Sequence, residues 1–221
     1  MTQVLIIGAS GGIGAALTRH LCARGALVTT LSRSADGLDV TDQACVDAHL
    51  GALTGPFDLM LVATGALVVN GSEPERRVKD ITARAMADQF AVNCIGPSLV
   101  MRHAARLLPR DRRAVFAALS ARVGSIGDNA LGGWYSYRTA KAGLNQMIRT
   151  AAIELRRSHQ QAICVALHPG TVATPFTAKY AGRHKTVPAE DAAASLLRVL
   201  DGLTQDNTGR FYDWAGREVP W

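Results

Sequence analysis

A chain of 221 residues that is 48% hydrophobic and 19% charged is long enough to bury a full apolar core, about 70% of the surface of its unfolded form, without disulfides or structural metals. Its longest apolar runs, 59–63 and 114–119, fall far short of the roughly 18 residues of a membrane-spanning helix, and its four cysteines show neither CxxC spacing nor a Cys/His cluster, which sets aside membrane, metal and dithiol chemistry. The net charge of +6 is dispersed in single residues and short pairs such as Arg112-Arg113, a solvated basic surface suited to an anionic phosphate-bearing ligand rather than a nucleic-acid stripe.

Met1-Thr2-Gln3 carries no basic n-region, and the apolar Val4 to Ile7 run meets glycines rather than a cleavage site, so a cytoplasmic protein is expected. Val4 to Ile7 reads as a strand buried on both faces, followed by a glycine-rich turn and a helix from Ile13 to Cys22 with Gly25 at its end. Ala26 to Leu31 completes a β-α-β unit. The alternation continues with a strand at Leu38 to Val40, a helix through Thr41 to Leu50, a strand at Phe57 to Ala63 and a long helix over 82–108 ended by Pro109. A strand at Ala114 to Leu119, a long helix over 135–157, a strand at Ala162 to Leu167, a helix at Ala189 to Leu200 and a strand at Arg210 to Trp214 follow. This pattern predicts one Rossmann-type α/β domain over 1–221, a doubly wound, mostly parallel seven-stranded sheet with helices on both faces and its ligand crevice beyond the strand C-termini.

Two motifs carry chemistry. Gly8-Ala9-Ser10-Gly11-Gly12-Ile13-Gly14 lies between the first strand and the first helix, where glycines permit a tight turn and let a pyrophosphate approach the helix N-terminus. Tyr137 and Lys141, four residues apart near a helix start, share one face, so the ammonium is expected to lower the phenol pKa and make it a usable acid or base. After the second strand, Thr30 to Ser34 offers no acid for a ribose 2′-hydroxyl, whereas Ser32 and Arg33 suit a 2′-phosphate; NADP(H) is favoured, with NAD(H) possible.

Together these residues resemble the short-chain dehydrogenase/reductase family in its classical form, along essentially the whole chain. Gly8, Gly12 and Gly14 match its cofactor glycines, Asp39 and Val40 its adenine segment, and Ala63-Thr64-Gly65 the place of its Asn-Asn-Ala-Gly element, without the asparagines. Asn93 matches its helix asparagine, Tyr137 and Lys141 its catalytic pair, and the run from Pro169 and Gly170 through Val172 to Thr174 its Pro-Gly loop beside the nicotinamide. The stretch from Gly124 to Arg138 resembles the C-factor and Sniffer-like carbonyl reductases. The resemblance implies hydride exchange between a nicotinamide and a small carbonyl or alcohol substrate, with Tyr137 as proton donor, Lys141 on the ribose, a serine on the carbonyl oxygen, and Asn93 at a helix kink leading protons to Lys141. The alternative is a nucleotide-binding signalling protein on the same fold. The family's usual second serine is Ala121 here, which leaves Ser120 and Ser125 as candidates. A substrate lid is expected around 175–187, and a homo-oligomer through the helices at 82–108 and 135–157; no metal, nucleic-acid or membrane partner is expected.

Overall fold

Six parallel strands form one sheet in the order β2-β1-β3-β4-β5-β6 in a computed structural model that describes residues 1–174 and 186–221. The strands are β1 (Gln3–Ile7), β2 (Leu27–Leu31), β3 (Leu59–Val62), β4 (Ala114–Leu119), β5 (Ala162–His168) and β6 (Phe211–Asp213). β3 returns on the opposite side of β1 from β2, which opens a crevice above the C-terminal end of β1, the place where such sheets bind ligands. Successive side chains alternate between two cores. Leu5, Ile7, Met60, Val62, Phe116 and Cys164 pack against α3 (Gln43–Gly51), α5 (Gly96–Met101) and α7 (Tyr135–Leu155). Val4, Ile6, Leu61, Val115, Ile163 and Val165 pack against α1 (Gly12–Ala23) and α8 (Ala189–Gly202).

The expected seventh strand at Leu38 to Val40 does not form, so the described residues hold six strands rather than seven. Its backbone is spent locally: Leu38 N–H donates to Ser32 O at 3.2 Å, Asp42 N–H donates to Asp39 O at 3.2 Å, and the Asp39 carboxylate accepts from the backbone and hydroxyl of Thr41 at 2.8 and 2.7 Å. Ahead of it a short helix unforeseen in the sequence, α2 (Arg33–Asp36), is capped by the Ser32 hydroxyl.

The helix expected over 82–108 is also interrupted. α4 (Ala83–Phe90) runs into a π turn (Ala91–Ile95), then α5, then α6 (Ala104–Leu107). Pro97 has no N–H for the ladder, and a Cβ on Gly96 would meet Val40 Cγ2 at 2.9 Å, so this glycine lets the helix lie against the 38–40 segment. The extra residue of the π turn rotates Asn93 into the interior. Of the expected lid at 175–187, residues 175–185, with Phe176, Tyr180, Arg183, His184 and Lys185, lie outside the described residues. Its flanks are tied together: Ala173 N–H donates to Val187 O and Val187 N–H to Thr171 O, at 2.8 and 3.0 Å. No helix among the described residues is long and apolar enough to cross a membrane.

Candidate active site

A cleft of about 720 Å³ opens above the sheet's C-terminal edge, lined by residues from the ends of β1, β3, β4 and β5 and from the start of α7. Its floor begins at the glycine turn. Gly8 has φ +90° and donates its N–H to Leu31 O at 2.8 Å. A Cβ on Gly14 would stand 2.2 Å from Gly8 O, and one on Gly12 would stand 2.6 Å from Thr174 Cγ2; the close passage of helix over strand end thus requires glycine. Gly11, at the N-cap of α1, offers no side-chain cap, which leaves first-turn N–H groups free for an anion beside Ser10, Gly11, Gly12 and Ile13 on the cleft lining. Beyond β3, Ala63, Thr64 and Gly65 also line the cleft, and the buried Thr64 hydroxyl has no protein partner. An unpartnered buried hydroxyl beside a bare helix N-terminus fits a phosphate- and ribose-bearing cofactor.

Asn93 stands behind this wall and fixes it. Its Oδ1 accepts Ala66 N–H at 3.1 Å while Nδ2 donates to Ala66 O at 2.8 Å and to Gln89 Oε1 at 2.7 Å. A Cβ on Gly65 would lie 3.0 Å from Asn93 Oδ1 and 3.5 Å from Lys141 Nζ, so glycine here admits both side chains to the backbone. Asn93 accordingly sits on the π turn, and its side chain clamps the loop after β3.

Tyr137 and Lys141 reach the cleft from the first turns of α7, both buried, with Lys141 Nζ 5.9 Å from the centroid of the Tyr137 ring and donating to Leu119 O at 2.9 Å. Burial raises the Tyr137 phenol above its ordinary range and lowers the Lys141 ammonium to about 8. This corrects the expectation that the lysine would depress the phenol pKa: desolvation disfavours phenolate, and the phenol keeps its proton at neutral pH.

The two candidate serines face different surroundings. Ser120, buried at the end of β4, lines the cleft and donates to Asn145 Oδ1 at 2.6 Å, while Asn145 Nδ2 donates to Gly124 O at 3.3 Å. The Gly124 carbonyl can only accept, which fixes the amide orientation and commits the Ser120 hydrogen to Asn145. Ser125 does not line the cleft; its hydroxyl donates to Pro220 O and accepts Asp128 N–H at 3.0 Å. Ala121 lines the cleft with a methyl group.

His168, Pro169, Gly170, Thr171, Val172 and Thr174 close the far side. Burial, aided by Arg122 and opposed by Asp213, lowers His168 to about 4, so the ring is neutral, and its buried Nδ1 has no protein partner. Ser32, Arg33, Asp39 and Val40 do not line the cleft itself; they lie at and after the end of β2. The Ser32 hydroxyl accepts Ala35 N–H at 3.2 Å, and Asp36 Oδ2 accepts Ser32 N–H at 2.7 Å. The Asp36 carboxylate is thus committed to the N-terminus of α2.

Sequence reasoning missed Glu75, Arg138 and Asn145. The buried Glu75 carboxylate accepts the Ser136 N–H at 3.1 Å and the Ser136 hydroxyl. Arg138 donates to the carbonyls of Gly133, Gly132 and Val123 at 2.8, 3.0 and 3.2 Å. These partners are far away in sequence or belong to backbone, and no local spacing signals them. Among the described residues no group of three or more His, Cys, Asp or Glu side chains is placed to hold a metal.

The chain is similar to several known proteins. C-signal of Myxococcus xanthus is 36% identical over 171 residues, 76% of this chain and 95% of that protein. The 1-hydroxy-2-glutathionyl-2-methyl-3-butene dehydrogenase of Rhodococcus sp. (strain AD45) is 30% identical along the whole of both chains. An NADPH-bound carbonyl reductase from chicken fatty liver superposes with TM-score 0.84 at 23% identity, over 100% of this chain and 94% of that one, and the carbonyl reductase Sniffer of D. melanogaster with TM-score 0.81 at 18% identity over all of both, which speaks for a shared fold. Residues 2–184 match the family described as short chain dehydrogenase, and the chain belongs to this family of nicotinamide-dependent oxidoreductases.

Proposed function

We propose that the protein is an NADPH-dependent carbonyl reductase acting in the cytoplasm on a small carbonyl compound. The observation that carries this reading is the buried Tyr137–Lys141 pair on the cleft floor, with the phenol held protonated by desolvation. NADPH supplies a hydride from its nicotinamide. The N-terminus of α1, with Ser10 to Gly14, and the Thr64 hydroxyl would hold its phosphates and ribose, and the segment from Pro169 to Thr174 would flank the nicotinamide. Arg33 would meet the 2′-phosphate and Asp39 and Val40 the adenine. The Tyr137 hydroxyl gives its proton to the substrate oxygen as charge develops there. Lys141, cationic below about pH 8, stabilises the resulting phenolate, and Asn93 keeps the loop after β3 against it. Ser120 orders the wall at the carbonyl; Ser125, turned to Pro220, serves the loop rather than the reaction.

The relatives named carbonyl reductase support the direction. Many arginines behind the net charge are ion-paired, as in Arg19–Glu190, Arg24–Asp201 and Arg112–Asp58, which favours a small-molecule partner over nucleic acid. The chain works as a single domain. A second copy would pack through the helices at 82–108 and 135–157, where Ile95, Met147 and Ile153 are exposed. The test is NADPH oxidation with a panel of aldehydes, ketones and quinones. Turnover in the wild type and its loss, by about 10³-fold, in Tyr137→Phe with cofactor affinity retained is expected; NADPH binding with no turnover across the panel favours the signalling alternative.

A further inference from the structure

Gly132, Gly133 and Trp134 are three consecutive residues with left-handed backbone, at φ +63°, +67° and +54°. Glycine takes this conformation freely. A bulky aromatic residue takes it only when its surroundings impose it, and such outliers cluster where a protein meets a ligand. Here the surroundings are specific. Trp134 N–H donates to the Glu75 carbonyl at 2.6 Å. The buried Glu75 carboxylate, on the same residue, grips the N–H and hydroxyl of Ser136 at the start of α7. From the next turn Arg138 binds the carbonyls of Gly132 and Gly133. Held from both sides, the indole lies edge-to-face with Tyr137, the ring centroids 6.2 Å apart and the planes at 72°. Trp134 shares the cleft wall with Leu67, Val123 and Leu131.

Resting on the reductase reading above, we propose that Trp134 is the specificity-determining wall of the substrate site, that it selects carbonyl compounds bearing a flat aromatic ring beside the C=O, and that Glu75 is the positioning residue that holds it there. An indole next to the proton-donating phenol offers a substrate ring edge-to-face or offset contact in addition to burial, whereas a saturated chain gains burial alone. In the reaction the carbonyl carbon takes the hydride of NADPH and the carbonyl oxygen takes the Tyr137 proton, leaving an aryl carbinol and NADP⁺. The aryl group stays against Trp134 throughout, so its contribution enters mainly as binding.

The test compares 2-naphthaldehyde with hexanal under NADPH, together with calorimetric binding of the product alcohol, 2-naphthalenemethanol, to the NADP⁺ complex. Trp134→Ala is expected to lose about tenfold or more in kcat/KM for 2-naphthaldehyde, with hexanal changed by less than about twofold, and to weaken alcohol binding about tenfold. Trp134→Phe, which keeps a ring, stays within about threefold of the wild type on both aldehydes. Glu75→Ala, which frees Ser136 beside Trp134 and Tyr137, raises KM for 2-naphthaldehyde more than KM for hexanal, with kcat nearly unchanged; Glu75→Gln, which retains one acceptor oxygen, restores part of the loss. Equal effects on the two aldehydes, or unchanged alcohol binding in Trp134→Ala, overturn the proposal. Alcohol binding that depends on Trp134 in a protein that reduces neither aldehyde supports the aromatic wall and counts against the reductase reading alone.

Discussion

At one end of the cleft the chain presents backbone and at the other it presents side chains held from afar. The proposed cofactor end is a seven-residue turn, Gly8 to Gly14, whose fit to a phosphate depends on what is missing: a Cβ at Gly14 and a side-chain cap at Gly11. The proposed substrate end, from Ser120 to Trp134, is held by Glu75, 61 residues before Ser136, and by Pro220, 95 residues beyond Ser125. The first design tolerates almost no substitution at its close contacts. The second spreads its organisation over several partners, each worth a modest amount, so it can be altered piece by piece without losing the fold.

The largest effects that sharpen this contrast fall at the shared floor and the cofactor end. Beside the Tyr137→Phe loss described above, Gly14→Ala places its Cβ against Gly8 O, backbone on both sides, and neither can yield cheaply. NADPH affinity is expected to fall by about 10²-fold or more, whereas Gly11→Ala, whose Cβ would stand 3.4 Å from Gly8 O, stays near wild type. Calorimetric titration of NADPH into both variants separates them; equal affinities would show that the turn does not depend on this close approach.

The pH profile comes next. Lys141 has its ammonium lowered to about 8, so it is charged below that pH and neutral above it, while Tyr137, raised by burial, keeps its proton throughout. The reductive kcat/KM should therefore hold level near neutrality and fall as pH rises through about 8. Lys141→Met should be slow throughout and lack this step. A wild-type profile that stays flat to pH 10 would remove Lys141 from the chemistry.

Smaller effects distinguish the serines at the substrate end. Ser120→Ala is expected to cost about tenfold in kcat/KM, less than the roughly hundredfold of a dedicated carbonyl donor, because the Ser120 hydrogen is committed to Asn145. Ser125→Ala should lower stability by about 1 kcal/mol, through loss of the bonds to Pro220 and Asp128, with kinetics nearly unchanged. Kinetic assays paired with denaturant unfolding read both outcomes; the reverse ranking would place Ser125 at the carbonyl. The smallest change concerns Arg33, next to Ser32 and outside the cleft lining: Arg33→Ala should shift the NADPH-to-NADH affinity ratio toward NADH by about fivefold, and an unaltered ratio in competition binding would unseat it as the 2′-phosphate partner.

The same contrast explains what could be read from the sequence. The parallel sheet, its two cores, the glycine turn and the Tyr137/Lys141 pair are encoded by periodicity and by spacings under eight residues, and each was legible. The strand expected at Leu38 to Val40 was not, because Asp39 and Thr41 compete for the backbone hydrogen bonds a ladder would use. The helix over 82–108 concealed its π turn for the same kind of reason: an inserted residue leaves the apolar pattern on both sides intact while rotating Asn93 inward. The phenol pKa was misjudged because spacing places a charge nearby but says nothing of burial, and burial decides the sign here. Glu75, Arg138 and Asn145 were invisible because their roles exist only once distant segments meet.

The most direct measurement of the central claim is isotopic: NADPH carrying deuterium on the transferable face of its nicotinamide is incubated with the protein and 2-naphthaldehyde, and the product is analysed by mass spectrometry and NMR. The expected result is an aryl carbinol with one deuterium on the former carbonyl carbon, formed by the wild type and absent in Tyr137→Phe. NADPH that binds yet transfers no label to this or any other carbonyl compound of the panel would contradict the assignment of the buried Tyr137–Lys141 pair to carbonyl reduction.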